Sequence, residues 1–398
     1  MATRNEISQF GPMQGIRVVH ASLSVASPFI AALMADMGAD VIWIENHKGL
    51  DIARAGSSNA GWTVEFNRHN LSLNIPSPEG REIFLRLIKD TDIYIEASKC
   101  GQYDKWGLYD EVLWEVNPKL VIVHMSGYGQ DGLPEYFGRA SYDPIAQAFG
   151  GLMFMNGAPE HPAFAIESDV GDYPTGFMAA FIALAAYQNA LKTGKGDSVD
   201  VAHYEAVLRT LGTFPGFTWN DGVPFQRQLT GNPGGVAGYD AYTCKDGKEV
   251  YLLILGPDVS KAALGALRLD YGSTEFPAGS ARFMKGTPGG DKLEAAIQAF
   301  CAAHDAADVE SILSAAKVPR STILDFNDMQ ENPLYQARKS LTQWKSIRFN
   351  QDITGFNIFP KLKNNPGQIW RDGPNHGMDN NDIVQDLGYS EAQIAALH

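Results

Sequence analysis

Along the first third of the chain, apolar residues alternate between short runs and helical stripes. Ile16–His20 is a β-rich run, after which Phe29, Ile30, Leu33, Met34 and Met37 recur at helical spacing until Gly38 closes the stripe. Ser27 followed by Pro28 has the form of an N-cap and first helical position. Val41–Ile44 predicts a second strand, and Ser77-Pro78 repeats the cap-and-proline start ahead of Ile83, Phe84, Leu87 and Ile88. Strand Asp92–Glu96, a helix around Tyr109–Val116 and strand Leu120–His124 continue the alternation. Repeated βα units with apolar strands predict a parallel sheet covered on both faces, its ligand loops at the strand C-terminal ends.

From Asp172 to Leu191 apolar residues run almost all round the helix, which predicts deep burial. Gly194–Gly196 closes it and Ser198–Ala202 is another strand. Residues 213–237 carry Gly, Pro and aromatics without a period and read as a linker. Tyr239–Thr243 and Glu249–Ile254, joined through Lys245-Asp246-Gly247-Lys248, predict a hairpin. With helical patterns at Lys292–His304 and Val309–Lys317 they make a smaller α+β unit. The tail from about residue 335 is loop-rich, with a short helix at Glu391–His398.

Composition narrows the class. A chain of 398 residues, 44% apolar and 20% charged, exceeds one ordinary core and points to two domains. The net charge of −14 removes the basic footprint that nucleic-acid binding requires. The longest apolar stretch, Tyr173–Tyr187, is shorter than the ~20 residues that span a bilayer, so no membrane is expected. Met1–Phe10 lacks the apolar core of a signal peptide, and Cys100, Cys244 and Cys301 form no CxxC spacing. A reduced cytoplasmic setting is expected, without disulfide or structural zinc.

Gly127-Tyr128-Gly129-Gln130-Asp131-Gly132 matches GxGxxG after a strand, but no helical period follows Leu133, as a dinucleotide site requires. A glycine-rich active-site loop is the better reading. There is no HExxH and no GxSxG, which argues against a zinc or iron site and a serine hydrolase. His124, on a buried strand, reads as a satisfied core histidine rather than a catalyst. Asp169 and Asp172 stand just before the long apolar helix, where an aspartate serves as a cap. The same place suits a carboxylate nucleophile, and both readings stand at this point.

Longer tracts carry a resemblance. Gly15-Ile-Arg-Val-Val, Gly38-Ala-Asp-Val-Ile-Trp-Ile-Glu45, Asn67-Arg-His-Asn-Leu-Ser-Leu-Asn74, Ser126-Gly-Tyr-Gly129 and Gly194-Lys-Gly-Asp-Ser-Val-Asp-Val201 resemble family III CoA-transferases. Asp172-Tyr-Pro-Thr-Gly176 is similar to the family's nucleophile motif, an Asp followed four residues later by Gly. The likeness runs from about residue 10 to the C-terminus and is weak between roughly 255 and 320.

The resemblance implies an α/β fold: a Rossmann-like parallel-sheet large domain and a smaller α+β domain, in an obligate interlocked homodimer. The large CoA-binding domain would take residues 1–220, the small domain with its linkers 221–330, and 331–398 would return to the large domain. The implied reaction moves CoA from an acyl-CoA to a small free carboxylic acid. Asp172 would attack the thioester to give a mixed anhydride, then an aspartyl-CoA thioester. Coenzyme A and acyl-CoA enter as substrates, and no permanent cofactor or metal is implied. The resemblance assigns CoA contacts to Val25, Ala26, Leu73, Ser98, Lys99, Lys105 and Arg139. Gly127–Gly132 and Gly231–Gly238 are candidate loops for oxyanion donors.

A racemase branch of the family has His-Asp where this chain has Tyr142-Asp143. A phenol, with a reference pKa of ~10 against ~6.5 for imidazole, is a poor acid/base substitute, so transfer is favoured. Lys361–Arg371 and His376-Gly-Met-Asp379 are similar to carnitine/γ-butyrobetaine enzymes, whereas Gly101-Gln-Tyr-Asp104 and Tyr242–Gly247 are similar to bile-acid CoA-transferases. A carnitine-like acceptor is expected, with Phe214, Phe217, Trp219 and Phe225 available for a trimethylammonium cage or for packing. Bile-acid or other 2-hydroxy or branched acids, the racemase and a non-catalytic CoA-binding protein follow as alternatives.

Overall fold

The computed structural model describes residues 10–49, 51–55, 67–227, 235–390 and 392–393. Apart from Ala392 and Gln393, the helix expected at Glu391–His398 lies outside them, as does the 231–234 part of the second glycine-rich loop. The chain divides into two compact units. One comprises Met1–Met155, Phe164–Phe225 and Ala337–His398, the other Asn156–Ala163 and Gln226–Gln336.

In the first unit β1 (Arg17–Ala21), β2 (Asp40–Glu45), β3 (His69–Ser72), β4 (Ile93–Glu96), β5 (Val121–Ser126) and β6 (Asp197–Ala202) form a parallel sheet in the order β3-β2-β1-β4-β5-β6. Its inner strands are covered on both faces, which is why β1, β2, β4 and β5 read as apolar runs, whereas the edge strand β6 leaves Asp197, Ser198 and Asp200 exposed. Neighbouring residues of β1 serve opposite cores. Val18 packs with Ile30 and Met34 of the helix Ala26–Asp36 and with Ala179 and Ala183 of the helix Asp172–Thr193. Val19 packs with Phe84 and Leu87 of the helix Pro78–Lys89 and with Ile383 and Val384 of the helix Asn380–Asp386.

Ser77 caps its helix as expected, its Oγ accepting from Gly80 N at 3.0 Å. Ser27 does not. Phe29 N donates to Val25 O, so the helix begins at Ala26, and the Ser27 hydroxyl turns to Met125 Sδ at 2.8 Å. The long helix Asp172–Thr193 also departs from expectation. Its small residues are buried against the sheet, but Phe177, Phe181, Ile182 and Leu191 are exposed, Phe181 by 73%. An all-round apolar helix thus has one side covered by its own chain and one side bare.

The segment expected to be a linker contains a helix, Phe214–Asp221, ended by Gly222 in the left-handed region. The tail contains an unexpected antiparallel hairpin, β10 (Leu341–Lys345) with β11 (Asp352–Phe356). The returning segment then seals the sheet edge. Asn70 N donates to Asp379 Oδ2 and Ser72 N to Asn380 Oδ1, both at 2.8 Å, so β3 presents fewer free donors.

The second unit has the antiparallel sheet β7 (Tyr239–Thr243), β8 (Glu249–Leu253) and β9 (Arg320–Thr322), and its core joins Val250 and Leu252 to Leu293, Ile297, Val309 and Leu313. Among the described residues no helix is long and apolar enough to cross a membrane.

Candidate active site

Sheet order reverses direction between β1 and β4, and in such sheets the crevice beyond the strand C-termini at that point is where ligands bind. The loop after β1 supplies Leu23 and Ser24, the loop after β4 supplies Ser98 and Lys99, and the end of β5 leads into Gly127 and Gly129. These line one cleft of about 190 Å³, together with Asp172 and His203.

Asp172 is the first residue of its 22-residue helix and is only 6% exposed. Capping that helix is neither its task nor that of Asp169. The carboxylate of Asp143 does it, Oδ1 accepting from Gly171 N at 2.6 Å and from Asp172 N at 3.1 Å. Freed from capping, Asp172 turns its carboxylate to His203, with Oδ1 3.0 Å from Nε2. Asp169 does not line the cleft. Its carboxyl is raised above the ordinary range, first by burial and then by the charges of Asp172, Asp143 and Glu167.

Two glycines make this arrangement possible. A Cβ on Gly171 would stand 2.8 Å from Asp143 Oδ1 and 3.4 Å from His203 Nε2. One on Gly176 would stand 2.7 Å from Phe29 Cδ1 and 3.1 Å from Ala26 O. Gly176 lies one helical turn after Asp172 and on the same face, so its lack of a side chain lets the start of the helix approach Ala26. The spacing Asp-x-x-x-Gly therefore places the carboxylate in the cleft wall.

Lys99 and Arg139 are the basic side chains among the described residues lining the cleft, and Arg139 stacks 3.9 Å over the Tyr136 ring. The loop carrying Lys99 is anchored from below. Glu96 Oε2 accepts from Ser98 N at 2.6 Å, while Oε1 accepts from His124 Nδ1 at 2.7 Å. The other ring nitrogen of His124 donates to Asp110 Oδ1 at 2.9 Å. Burial works against an imidazolium here, but the hydrogen bonds to Asp110 and Glu96 outweigh it and push the His124 pKa up to about 10. Asp110 is correspondingly lowered: burial opposes this, and the bond to His124 prevails. His124 is thus satisfied, as expected, and is held as a half-buried cation.

The glycine-rich loop after β5 is pinned rather than open. Gly129 N donates to Ser126 Oγ at 2.9 Å, Gln130 N to Asp200 Oδ2 at 2.8 Å and Gly132 N to Asp131 Oδ1 at 2.7 Å. Three N–H groups of the expected oxyanion loop are therefore already engaged. Only a four-residue helix, Pro134–Phe137, follows, so the loop does not open a long helix as a dinucleotide fingerprint does.

Of the residues assigned from sequence, Asp172, Ala26, Ser98, Lys99 and Arg139 share the cleft. Val25, Leu73 and Lys105 do not line it: Leu73 is buried in the core with Ile83 and Phe84, and Lys105 is exposed on the turn Asp104–Trp106. Sequence reasoning missed His203, which is 2% exposed, and the clamp by Asp143. The signal for His203 is positional, since it begins the helix directly after β6, at a strand C-terminal end. Asp143, Asp172 and His203 bring metal-capable atoms within 4.8 Å of one another. Two backbone N–H groups already occupy Asp143 Oδ1, which makes it a poor ligand.

Residues 13–380 match the pattern of CoA-transferase family III. The chain belongs to that family. The transferase is 39% identical over 396 residues to the bile acid CoA-transferase BaiK of Clostridium scindens, covering 98% of this chain and 89% of that one. Its fold is that of a CAIB/BAIF family protein from Brucella suis, with a TM-score of 0.81 at 24% identity over 95% of this chain and all of that one. A hypothetical protein from Mycobacterium tuberculosis superposes with a TM-score of 0.80 at 20% identity, covering 94% and 99%. The transferase is accordingly an enzyme that uses CoA thioesters.

Proposed function

We propose that the transferase moves CoA from an acyl-CoA to a free carboxylic acid through covalent intermediates on Asp172. The observation that carries this reading is the Asp172 carboxylate, buried in the wall of the switch-point cleft and released from helix capping by Asp143. Attack on a thioester carbonyl gives an anhydride and CoA thiolate. The thiolate then attacks the aspartyl carbonyl to give aspartyl-CoA, which the acceptor acid resolves. Both intermediates keep the group-transfer potential that hydrolysis would waste, so the site must exclude water. Ala26, Ser98, Lys99 and Arg139 serve CoA within the cleft, with Lys99 and Arg139 as its cations. Val25 adjoins them, Lys105 is an outlying phosphate contact, and Leu73 supports the adenine end from the core.

The likeness to BaiK supports a bile-acid-like acceptor, a large apolar acid. The carnitine-like acceptor keeps one observation in its favour. A separate pocket of about 280 Å³ is lined by Phe154, Phe214, Trp219 and Phe225, rings that suit a quaternary ammonium. The exposed apolar side of the Asp172–Thr193 helix supports a homodimer in which a second copy covers it.

The test is a CoA-exchange assay of Asp172→Ala beside Asp169→Ala, with bile acids, carnitine and 2-hydroxy acids as acceptors. Exchange should vanish in the first variant and persist in the second. Undiminished exchange by Asp172→Ala would overturn the mechanism, and a preference for carnitine over bile acids would overturn the favoured acceptor.

A further inference from the structure

Asp172 needs more than an exposed oxygen. On the route proposed above, its own carbonyl carbon, Cγ, becomes an electrophile twice: when thiolate attacks the anhydride, and when the acceptor attacks aspartyl-CoA. Each attack drives an electron pair onto Oδ1, and that charge needs a donor already in place. The glycine-rich loop after β5 has three of its N–H groups committed elsewhere.

The structure supplies another group. His203 is buried, 2% exposed, and its Nε2 has no hydrogen-bond partner of good geometry among the described residues. That nitrogen lies 3.0 Å from Asp172 Oδ1, within reach but without the alignment of a formed hydrogen bond. Asp143 does not compete for it, because its carboxylate already accepts from Gly171 N, Asp172 N and Gln147 Nε2. Gly171 keeps the space between them open, since a Cβ there would lie 3.4 Å from Nε2. An imidazole facing a carboxylate oxygen carries its proton on that nitrogen.

We propose that His203 is the oxyanion donor for both attacks on the Asp172 carbonyl, an inference that rests on the aspartyl route. In the first step Oδ2 attacks the thioester carbon and the C–S bond breaks, leaving an anhydride bridged by Oδ2 with Oδ1 as the aspartyl carbonyl oxygen. Thiolate sulfur then bonds to Cγ, and the carbonyl pair moves to Oδ1 beside the His203 N–H. Collapse reforms the carbonyl, breaks the Cγ–Oδ2 bond and releases the first acid as its carboxylate, the acid carrying Oδ2 away. In the reverse half the acceptor carboxylate bonds to Cγ, the same oxyanion forms, and the Cγ–S bond breaks to give a second anhydride. The released thiolate then bonds to the acceptor's acyl carbon, whose bond to the bridging oxygen breaks, leaving that oxygen on Cγ and Asp172 again a carboxylate. His203 lends a hydrogen bond throughout, and no proton changes hands.

The anhydride offers thiolate two carbonyls, and attack on the acyl one merely regenerates the donor. A donor on Oδ1 favours the aspartyl carbonyl and so commits the intermediate forward. Removing one oxyanion donor lowers turnover by about 100-fold or more.

The experiment uses the full chain with acyl-labelled CoA donor, comparing His203→Leu, His203→Gln and Asp172→Ala with the parent. Exchange should fall about 100-fold in His203→Leu, and the amide N–H of His203→Gln should restore about tenfold of it. Hydroxylamine added during turnover traps the anhydride at its acyl carbon as a small acyl hydroxamate, and aspartyl-CoA as a protein-bound hydroxamate. Above the background from free acyl-CoA, the ratio of small to protein-bound product should rise at least tenfold in His203→Leu. A purely structural defect lowers both products together and leaves the ratio alone. An unchanged ratio in a folded His203→Leu or His203→Gln protein overturns the inference, while exchange surviving in Asp172→Ala overturns the aspartyl route itself. If His203→Leu does not fold, the ratio in His203→Gln decides, expected to rise by a smaller factor than tenfold and refuting the inference if it stays at the parental value.

Discussion

Replacing His124 by Leu removes the cation between Glu96 and Asp110 while filling a similar volume. Glu96 is 2% exposed and would be left buried without its charge partner, a change that costs about 3–5 kcal/mol. Titration gives a similar figure. The rise of the His124 pKa from the ordinary 6.5 to about 10 corresponds, at about 1.4 kcal/mol per pH unit, to about 5 kcal/mol. Because the folded value lies above the unfolded one, this stabilisation is complete below pH ~6.5 and drains away as pH rises toward about 10. Urea unfolding of parent and His124→Leu at intervals from pH 6 to 10 should therefore show a gap of about 3–5 kcal/mol that narrows with rising pH. The variant should also bind CoA more weakly, since Glu96 holds the Ser98 N–H and with it the Lys99 loop. A gap below about 1 kcal/mol, or one independent of pH, would refute the ion-pair reasoning.

Three further outcomes follow from geometry. Gly171→Ala should lower turnover at least tenfold at a stability cost of about 1–3 kcal/mol, because its Cβ displaces the Asp143 clamp; steady-state kinetics beside a melting curve checks this. Lys99→Ala and Arg139→Ala should each weaken CoA binding about tenfold, measured by calorimetry, with the parent's affinity falling as salt is raised and the variants' falling less. On the proposed homodimer, the parent should sediment as a dimer and Phe181→Glu as a monomer, and a parental profile in the variant would overturn the assignment of that helix face to a subunit contact.

Local chemistry was the legible part of the fold. Tyr239–Thr243 and Glu249–Ile254 are joined by the turn signal Lys245-Asp246-Gly247-Lys248, and Ser77-Pro78 announces a helix with neighbours only three residues away. Ser27 has the same local form, yet its hydroxyl goes to Met125, a partner that only the folded sheet brings near. β10, Leu-Thr-Gln-Trp-Lys, is too polar to stand out from a loop-rich tail, and its pairing with β11 supplies what its sequence lacks. An apolar period reports that a helix face avoids water, without saying which chain covers it, and so Phe181 read as core. In the site, Asp172 was legible through its resemblance and through glycines at fixed offsets. His203 and the Asp143 clamp were not, because their meaning lies in distances across elements that are remote in sequence.

The sealing of β3 by Asp379 and Asn380 has a consequence for synthesis. A nascent large unit emerges with its outer strand open, and the residues that close it leave the ribosome only after the entire small unit has been made. Throughout that interval the strand offers free amides to any neighbouring chain. A stop codon placed after residue 336 would leave Asp172 and the cleft loops translated, yet make that interval permanent. Loss of solubility in such a truncation would come from an unfinished edge, far from the chemistry.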